Sequence, residues 1–380
     1  MEQKRLGDLA TYINGYSFKP EDRGKEGLPI IRIQDLTGNT YDLGFYNGDY
    51  PEKIEINDGD ILISWSASLG VYIWNRGKAL LNQHIFKVVF DKEEVNKQYF
   101  VFAVKYNLKE MGTKAHGATM KHIVKKDFDN TLVPFPTIEK QDVIAEILSK
   151  AAYIVDARKQ ELQKLDDLVR ARFVELFGDM FLNTMSWNEE PLEEMADVVS
   201  GITKGRKLKA QCTTEVPYMA VSNVKDGYID WTTVKTIEAT EQEINQYRLL
   251  PEDVLMTEGG DPDKLGRGAI IKEPLENCIH QNHIFRVRLN ATVILPEFFA
   301  EYLRHQKSKR YFLGCAKQTT GIASINMRQL KALPVLLPPL ELQNQFADFV
   351  KVVDKSKAVV QKALDQTQLL FDSLMQEYFG

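Results

Sequence analysis

Two stretches of this chain carry side chains suited to reading a polar surface. Ser64-Trp65-Ser66-Ala67-Ser68 sets hydroxyls around an indole at the end of the apolar run Asp60-Ile-Leu-Ile-Ser64. Glu258-Gly-Gly-Asp261-Pro-Asp263-Lys264-Leu-Gly-Arg267 holds the matching place behind Asp253-Val-Leu-Met-Thr257. Arg and Lys pair with guanine edges and carboxylates accept from cytosine N4, each good pair discriminating by roughly 1–3 kcal/mol. Hydroxyls and amides beside basic residues suit phosphate contacts, which position a protein without reading sequence. Further candidates of that kind are Ser17 and Lys19 behind the turn Asn14-Gly15-Tyr16, and Lys114, His116 and Lys121 in a polar stretch. Lys204, Arg206 and Lys207 form a tight group with Lys209, and Lys317, Gln318 and Thr319 stand in another polar stretch. Any one of these, taken alone, is equally well an ordinary turn or a solvated basic face. Their similar placement in both halves of the chain favours nucleic-acid recognition.

Signs of catalysis are missing. There is no Walker A loop, no GxSxG, no HExxH and no Gly-rich strand-turn-helix for a dinucleotide. The N/D-P-P-Y/F tetrapeptide expected of an amino-methyltransferase is also missing. His84 and His283 occupy matching positions, and a structural hydrogen bond from each is favoured over a shared ligand role. Cys212, Cys278 and Cys315 form no CxxC pair, so reduced thiols in a cytoplasmic protein are expected, and no Cys/His set has zinc-ligand spacing. Apolar runs fall short of a membrane span, and the start lacks the apolar core of a signal peptide. A net charge of −5 argues mildly against gripping DNA by bulk charge and puts the weight on local basic clusters.

These residues need elements to position them. Glu139 to Asp179 reads as one long helix, with Leu148, Val155, Leu162, Val169 and Leu176 recurring every seven residues. Ile144, Ile147, Ala151, Ile154, Leu165 and Phe173 widen the stripe. About 40 residues at 1.5 Å each give a rod of roughly 55–60 Å. A second copy follows 202 positions on, with Val353, Val360, Thr367 and Leu374 in series beside Leu364, Leu370 and Phe371. The lead-ins agree: Pro136-Thr-Ile-Glu139-Lys-Gln141 and Pro338-Pro-Leu-Glu341-Leu-Gln343. So do the ends, Glu175-Leu-Phe177-Gly178 and Glu377-Tyr-Phe379-Gly380. A constant shift points to an internal repeat, which outranks local readings.

The intervening stretches repeat as well. Short buried strands are expected at Leu28–Ile33, Asp60–Ser64, Val71–Trp74, Ile85–Phe90 and Thr131–Pro134, a helix at Glu94–Tyr106 and a loop at Lys114–Lys121. The second set places strands at Val216–Val221, Asp253–Thr257 and Asn282–Val287, a helix at Leu295–Tyr311 and a loop at Lys317–Gly321. The predicted architecture is mixed α/β (α+β): a globular domain at 1–138, a helical spacer at 139–179, a second domain at 180–338 and a second spacer at 339–380. If the two coiled-coil-like helices pair antiparallel, the domains are related by a pseudo-twofold axis. Two such heads could meet half-sites about one DNA turn, roughly 34 Å, apart.

The duplicated order, the Pro-x-x-Glu-x-Gln lead-ins and the Phe-Gly ends make the chain resemble a specificity subunit of a type I restriction-modification system. Gly59-Asp-Ile-Leu-Ile-Ser-Trp65, Asn82-Gln-His84 and Thr257-Glu-Gly-Gly-Asp-Pro-Asp-Lys-Leu-Gly-Arg-Gly268 add to the likeness, which covers essentially the whole chain. The resemblance implies two target-recognition domains, each reading one half of an asymmetric bipartite site on double-stranded DNA, and helices that set the spacer and dock two modification (methyltransferase) subunits. It implies no cofactor in this chain. S-adenosylmethionine and adenine N6-methylation would belong to the modification partner, and ATP and Mg to restriction (translocase/endonuclease) subunits. The chain itself would be a non-catalytic recognition subunit. Two other readings stand beside this one: a stand-alone two-headed DNA-binding regulator, and a scaffold with no DNA role.

Overall fold

The computed structural model describes residues 2–39, 42–114, 123–206, 212–261, 265–319 and 321–380. The chain forms two units: residues 1–160 with 361–380, and residues 161–360.

In the first unit an antiparallel sheet runs Thr11–Asn14, Ile85–Val89, Ile61–Ser64, Gly70–Ile73. Its central strand Ile61–Ser64 is buried along its whole length, which explains the unbroken apolar run in the sequence. A second sheet is built from Phe45–Tyr46, Leu28–Ile31, Ala79–Leu81 and Glu55–Ile56, with Leu28–Ile31 and Ala79–Leu81 parallel. Gln3–Arg5 pairs with Leu132–Pro134 and closes the unit.

The second unit repeats this order. Its main sheet runs Ala196–Ser200, Ile284–Leu289, Val254–Thr257, Gly268–Ile270. Lys235–Ala239, Thr214–Met219 and Ile279–His280 form the companion sheet, again with one parallel pair. Asn188–Pro191 closes on Pro334–Leu337. The turns that precede each companion sheet share one steric rule. A Cβ on Gly15 would lie 2.0 Å from the Asn82 carbonyl oxygen, and one on Gly201 would lie 2.0 Å from that of His280. Only glycine fits where the backbones approach so closely.

The long helices run Ile138–Phe177 and Leu340–Phe379. In the first unit Ile144, Ala145, Leu148 and Ala151 share a core with Phe371, Met375 and Phe379. In the second, Val169, Phe173 and Phe177 share a core with Phe346 and Val353. Within each unit, early residues of one helix meet late residues of the other, which is the antiparallel sense. The apolar stripe is narrower than its sequence suggests. Ile147, Ile154 and Leu370 are 38%, 43% and 56% exposed, because they lie round the helix from the face that the core covers.

The repeated lead-ins have a physical cause. Gln141 and Gln343 are buried, and their amide nitrogens donate to the carbonyls of Pro136 and Pro338, each at 2.9 Å. Their carbonyl oxygens accept the backbone N–H groups of Asn96 and Leu295, at 3.1 and 2.9 Å. Asn96 and Leu295 stand just before the helices Lys97–Lys114 and Pro296–Arg304, so each glutamine ties a long helix to the start of a short one.

Three expectations change. The helix foreseen over Leu295–Tyr311 is two helices, Pro296–Arg304 and Gln306–Cys315. His305 has extended backbone, and its ring accepts the Lys307 N–H at 3.2 Å, capping the second helix. The loop foreseen over Lys317–Gly321 contains the strand Lys317–Thr319, which pairs with Ile322–Ser324 and extends to Gly259–Gly260. Gly321, at φ +82°, supplies the left-handed backbone that a tight turn needs. The helix foreseen over Glu94–Tyr106 runs Lys97–Lys114, starting later and continuing further than its apolar side indicated. The stretch beyond Lys114 that was read as a loop lies outside the described residues.

Candidate nucleic-acid interface

The matched loops leave their sheets through the same backbone hydrogen bonds. Trp65 donates its N–H to the His84 carbonyl at 3.2 Å, and its own carbonyl accepts from Ile123 at 2.9 Å. Glu258 donates to the His283 carbonyl at 3.0 Å and accepts from Ile325 at 2.9 Å. Trp65 and Glu258 are therefore equivalent positions, as are His84 and His283.

Side chains at these positions differ. In the first unit the Trp65 ring stacks on Phe86 (centroids 5.5 Å apart) and meets His84 edge-on at 4.8 Å. His84 sits at φ +72°, with Nδ1 buried and lacking a hydrogen-bond partner among the described residues. The structural hydrogen bond expected from it is not made through that nitrogen. Ser64 is fully buried, and its hydroxyl donates to the Ser68 carbonyl at 2.5 Å; Ser66 is 7% exposed. Ser64 braces the loop from inside, and both buried serines are withdrawn from the surface, whereas Ser68 is exposed. Ala67–Tyr72 border a recess of about 760 Å³, closed on its other side by Lys105, Leu108, Lys109 and Gly112.

In the second unit Glu258 Oε2 lies 2.6 Å from His283 Nδ1. Gly259–Gly260 joins the hairpin that begins at Lys317, and the Arg267 carbonyl accepts the Thr257 N–H at 3.1 Å. One sheet end thus gathers Glu258, His283, Arg267 and the exposed Lys317. Arg267 also lines a recess of about 260 Å³ with Arg304, Lys309 and Asp226. Arg304 there is balanced by Asp226 and Glu301, each at 3.2 Å. Burial pushes the Glu301 carboxyl above the usual range, against the lowering effect of Arg304.

The remaining candidates scatter. Arg206 forms a two-pronged pair with Glu243, at 2.5 and 2.7 Å, and donates to the Glu238 carbonyl at 2.8 Å. That hydrogen bonding holds the Glu243 carboxyl down at about 2. The guanidinium fixes its loop to the helix Glu241–Tyr247, so its hydrogen bonds are taken up within the fold. Lys204 is exposed beside it, as are Ser17, Lys19 and Asp261. Lys114 ends its helix, and Gln318 and Thr319 lie on the strand Lys317–Thr319. His116, Lys121, Lys207 and Lys264 lie outside the described residues. Sequence reasoning missed two outward groups. Tyr16, 44% exposed, meets Phe18 edge-on at 5.0 Å beside Ser17. His283 was read as structural; the match of Asn282-His283 to Gln83-His84 was the available signal.

Among the described residues no group of three or more His, Cys, Asp or Glu is arranged to hold a metal, and no helix is long and apolar enough to cross a membrane. Cys278 is buried, and burial pushes its thiol up to about 12.

Comparison with known proteins agrees with this duplicated organisation. The type I restriction-modification specificity subunit EcoBI of Escherichia coli is 23% identical, over 98% of this chain and 84% of that protein. EcoKI of Escherichia coli strain K12 is 24% identical over 98% and 87%, and MjaVIII of Methanocaldococcus jannaschii 24% over 97% and 89%. Among solved structures, the type I restriction-modification S subunit of M. genitalium has the same fold, with a TM-score of 0.56 at 17% identity over 100% of this chain and 96% of that one. The family model for the type I restriction modification DNA specificity domain matches residues 1–166 and again 185–367, so both repeats carry it and the chain belongs to that family.

Proposed function

We propose that this chain supplies the DNA sequence specificity of a type I restriction-modification complex, each unit reading one half of an asymmetric bipartite site. The observation that carries this reading is a shared backbone with divergent reading surfaces. The two units have the same strand order and the same loop hydrogen bonds, yet one position holds Trp65 and its twin holds Glu258. A rigid scaffold with variable loops is how one fold reads different ligands. Full-length relatives that are specificity subunits support it over a stand-alone regulator.

In this reading exposed Lys and Ser side chains contact phosphates and fix the position on the duplex, while the exposed tip of the first loop at Ala67–Ser68 and the loop Glu258–Arg267 meet base edges. The long helices act as the ruler between half-sites and as the dock for two modification subunits. Exposed apolar side chains on them fit a docking role: Tyr153 is 74% exposed, Val359 69% and Leu369 72%. The chain is non-catalytic; methyl transfer from S-adenosylmethionine takes place on the modification subunits, and ATP with Mg serves the restriction subunits.

The test is the adenine-methylation map of a host genome with and without this chain. Loss of one asymmetric bipartite motif is expected, and an unchanged map would overturn the reading. Lengthening both helices by one turn should lengthen the spacer in the recovered motif, and an unchanged spacer would remove the helices from that role.

A further inference from the structure

We propose that His283, oriented by Glu258, is a base-reading residue of the second unit, presenting Nε2 as a hydrogen-bond acceptor to an exocyclic amino group in the DNA major groove. This rests on the specificity reading above and deepens it.

Chemistry fixes which nitrogen faces out. An ionised carboxylate only accepts hydrogen bonds, so at 2.6 Å from Glu258 Oε2 the proton belongs on Nδ1 of His283. In the neutral ring Nε2 is then bare. A carboxylate that fixes an imidazole tautomer is a recurrent way of aiming the other nitrogen at a ligand. The groups such an acceptor can discriminate in the major groove are the N6 amine of adenine and the N4 amine of cytosine, while guanine and thymine present acceptors there.

The fold does not need this pair. The bonds that anchor the loop are made by the backbone of Glu258 and His283, and the first unit makes the same bonds with Trp65 and His84. In the first unit the equivalent Trp65 ring is stacked on Phe86 and meets His84 edge-on. In the second, the His283 side chain is 57% exposed and that of Glu258 31%. The sheet end is also basic enough to approach a duplex, with Lys317 on the adjoining hairpin and Arg267 on the neighbouring strand connection. An ordered, outward, hydrogen-bonded imidazole at the position where the two scaffolds diverge is a reading group.

The test uses the complete complex in its host. The methylation motif is mapped for the unaltered chain, His283→Ala, Glu258→Gln and, as the control, the exposed Glu276→Ala, and thermal unfolding of each purified variant is followed. His283→Ala is expected to relax one base position in one half-site by about tenfold, within the range for one base contact. The other half-site and the unfolding midpoint should not change. Glu258→Gln should weaken the same position, and Glu276→Ala should relax none. An unchanged motif with His283→Ala overturns the inference while leaving the specificity reading standing. Loss of methylation together with a lowered midpoint assigns His283 a structural role and overturns it as well. A chain that yields no motif even unaltered refutes the specificity reading itself.

Discussion

The Trp65–His84 corner of the first unit and the Glu258–His283 corner of the second are the same backbone with opposite chemistry. In one, an indole covers the sheet end, stacked at 5.5 Å on Phe86. In the other, a carboxylate and an imidazole form a 2.6 Å pair facing outward. The backbone bonds that close each loop agree to within a few tenths of an ångström. The difference teaches that scaffold and surface are separable here: main-chain bonds and buried side chains specify the fold, leaving loop side chains free to differ. The same contrast runs deeper at one place. Tyr16 donates its N–H to the carbonyl of Leu81, and Ile202 donates to that of His280, both at 2.8 Å. A buried aliphatic in one unit is thus a buried titratable ring in the other.

The largest effect tests whether the scaffolds are truly alike. Gln343→Leu strands the Leu295 N–H and the Pro338 and Val293 carbonyls. It should lower stability by about 3–5 kcal/mol in chemical unfolding. Gln141→Leu strands one group fewer and should cost about 2–4 kcal/mol, since only the Asn96 N–H and the Pro136 carbonyl lose their partner. Equal and negligible costs would mean that the repeated glutamines are not what ties the helices together.

Next comes a pH dependence confined to one unit. Burial, aided by Arg286, lowers His280 from its ordinary 6.5 to about 4, against the raising effect of the Val199 and Tyr247 carbonyls. The folded state therefore disfavours the charged ring. The stability this gives is fully present above pH 6.5 and is lost as pH falls, the loss reaching roughly 3 kcal/mol by pH 4. His280→Leu, which copies the first unit's Leu81, should flatten that part of the stability profile. A profile unchanged by the substitution would mean that the ring titrates alike in both states.

The smallest effect sharpens the difference between surface and scaffold. Arg206→Ala removes the pair to Glu243, whose partly exposed side chains limit the loss to about 1–2 kcal/mol in thermal unfolding. A change in the methylation motif without loss of stability would assign Arg206 to the DNA-contacting set.

Much of the fold was legible because its signals are local. Gln141 and Gln343 share their spacing from proline, and the helices show apolar recurrence that survives without any knowledge of the partner. The break at His305 was not legible, because Leu295 to Tyr311 keeps its apolar positions across it. Nor was the strand at Lys317, whose polar residues pair with Ile322–Ser324 and not with a core. Candidate contacts fared by the same rule. Ser64 and Arg206 have the right chemistry for DNA, but tertiary partners had already taken their hydrogen bonds.

By itself the sequence determined the duplication, the element order and the chemical vocabulary of the loops, since these follow from residue spacing and type. Only the tertiary structure decided which of those residues face outward. A hydroxyl, a guanidinium or an imidazole can serve a ligand or a carbonyl equally well, and the choice depends on which groups the fold brings within about 3 Å. That is why Ser64 turned inward to Ser68 and His283 stayed outside, held by Glu258.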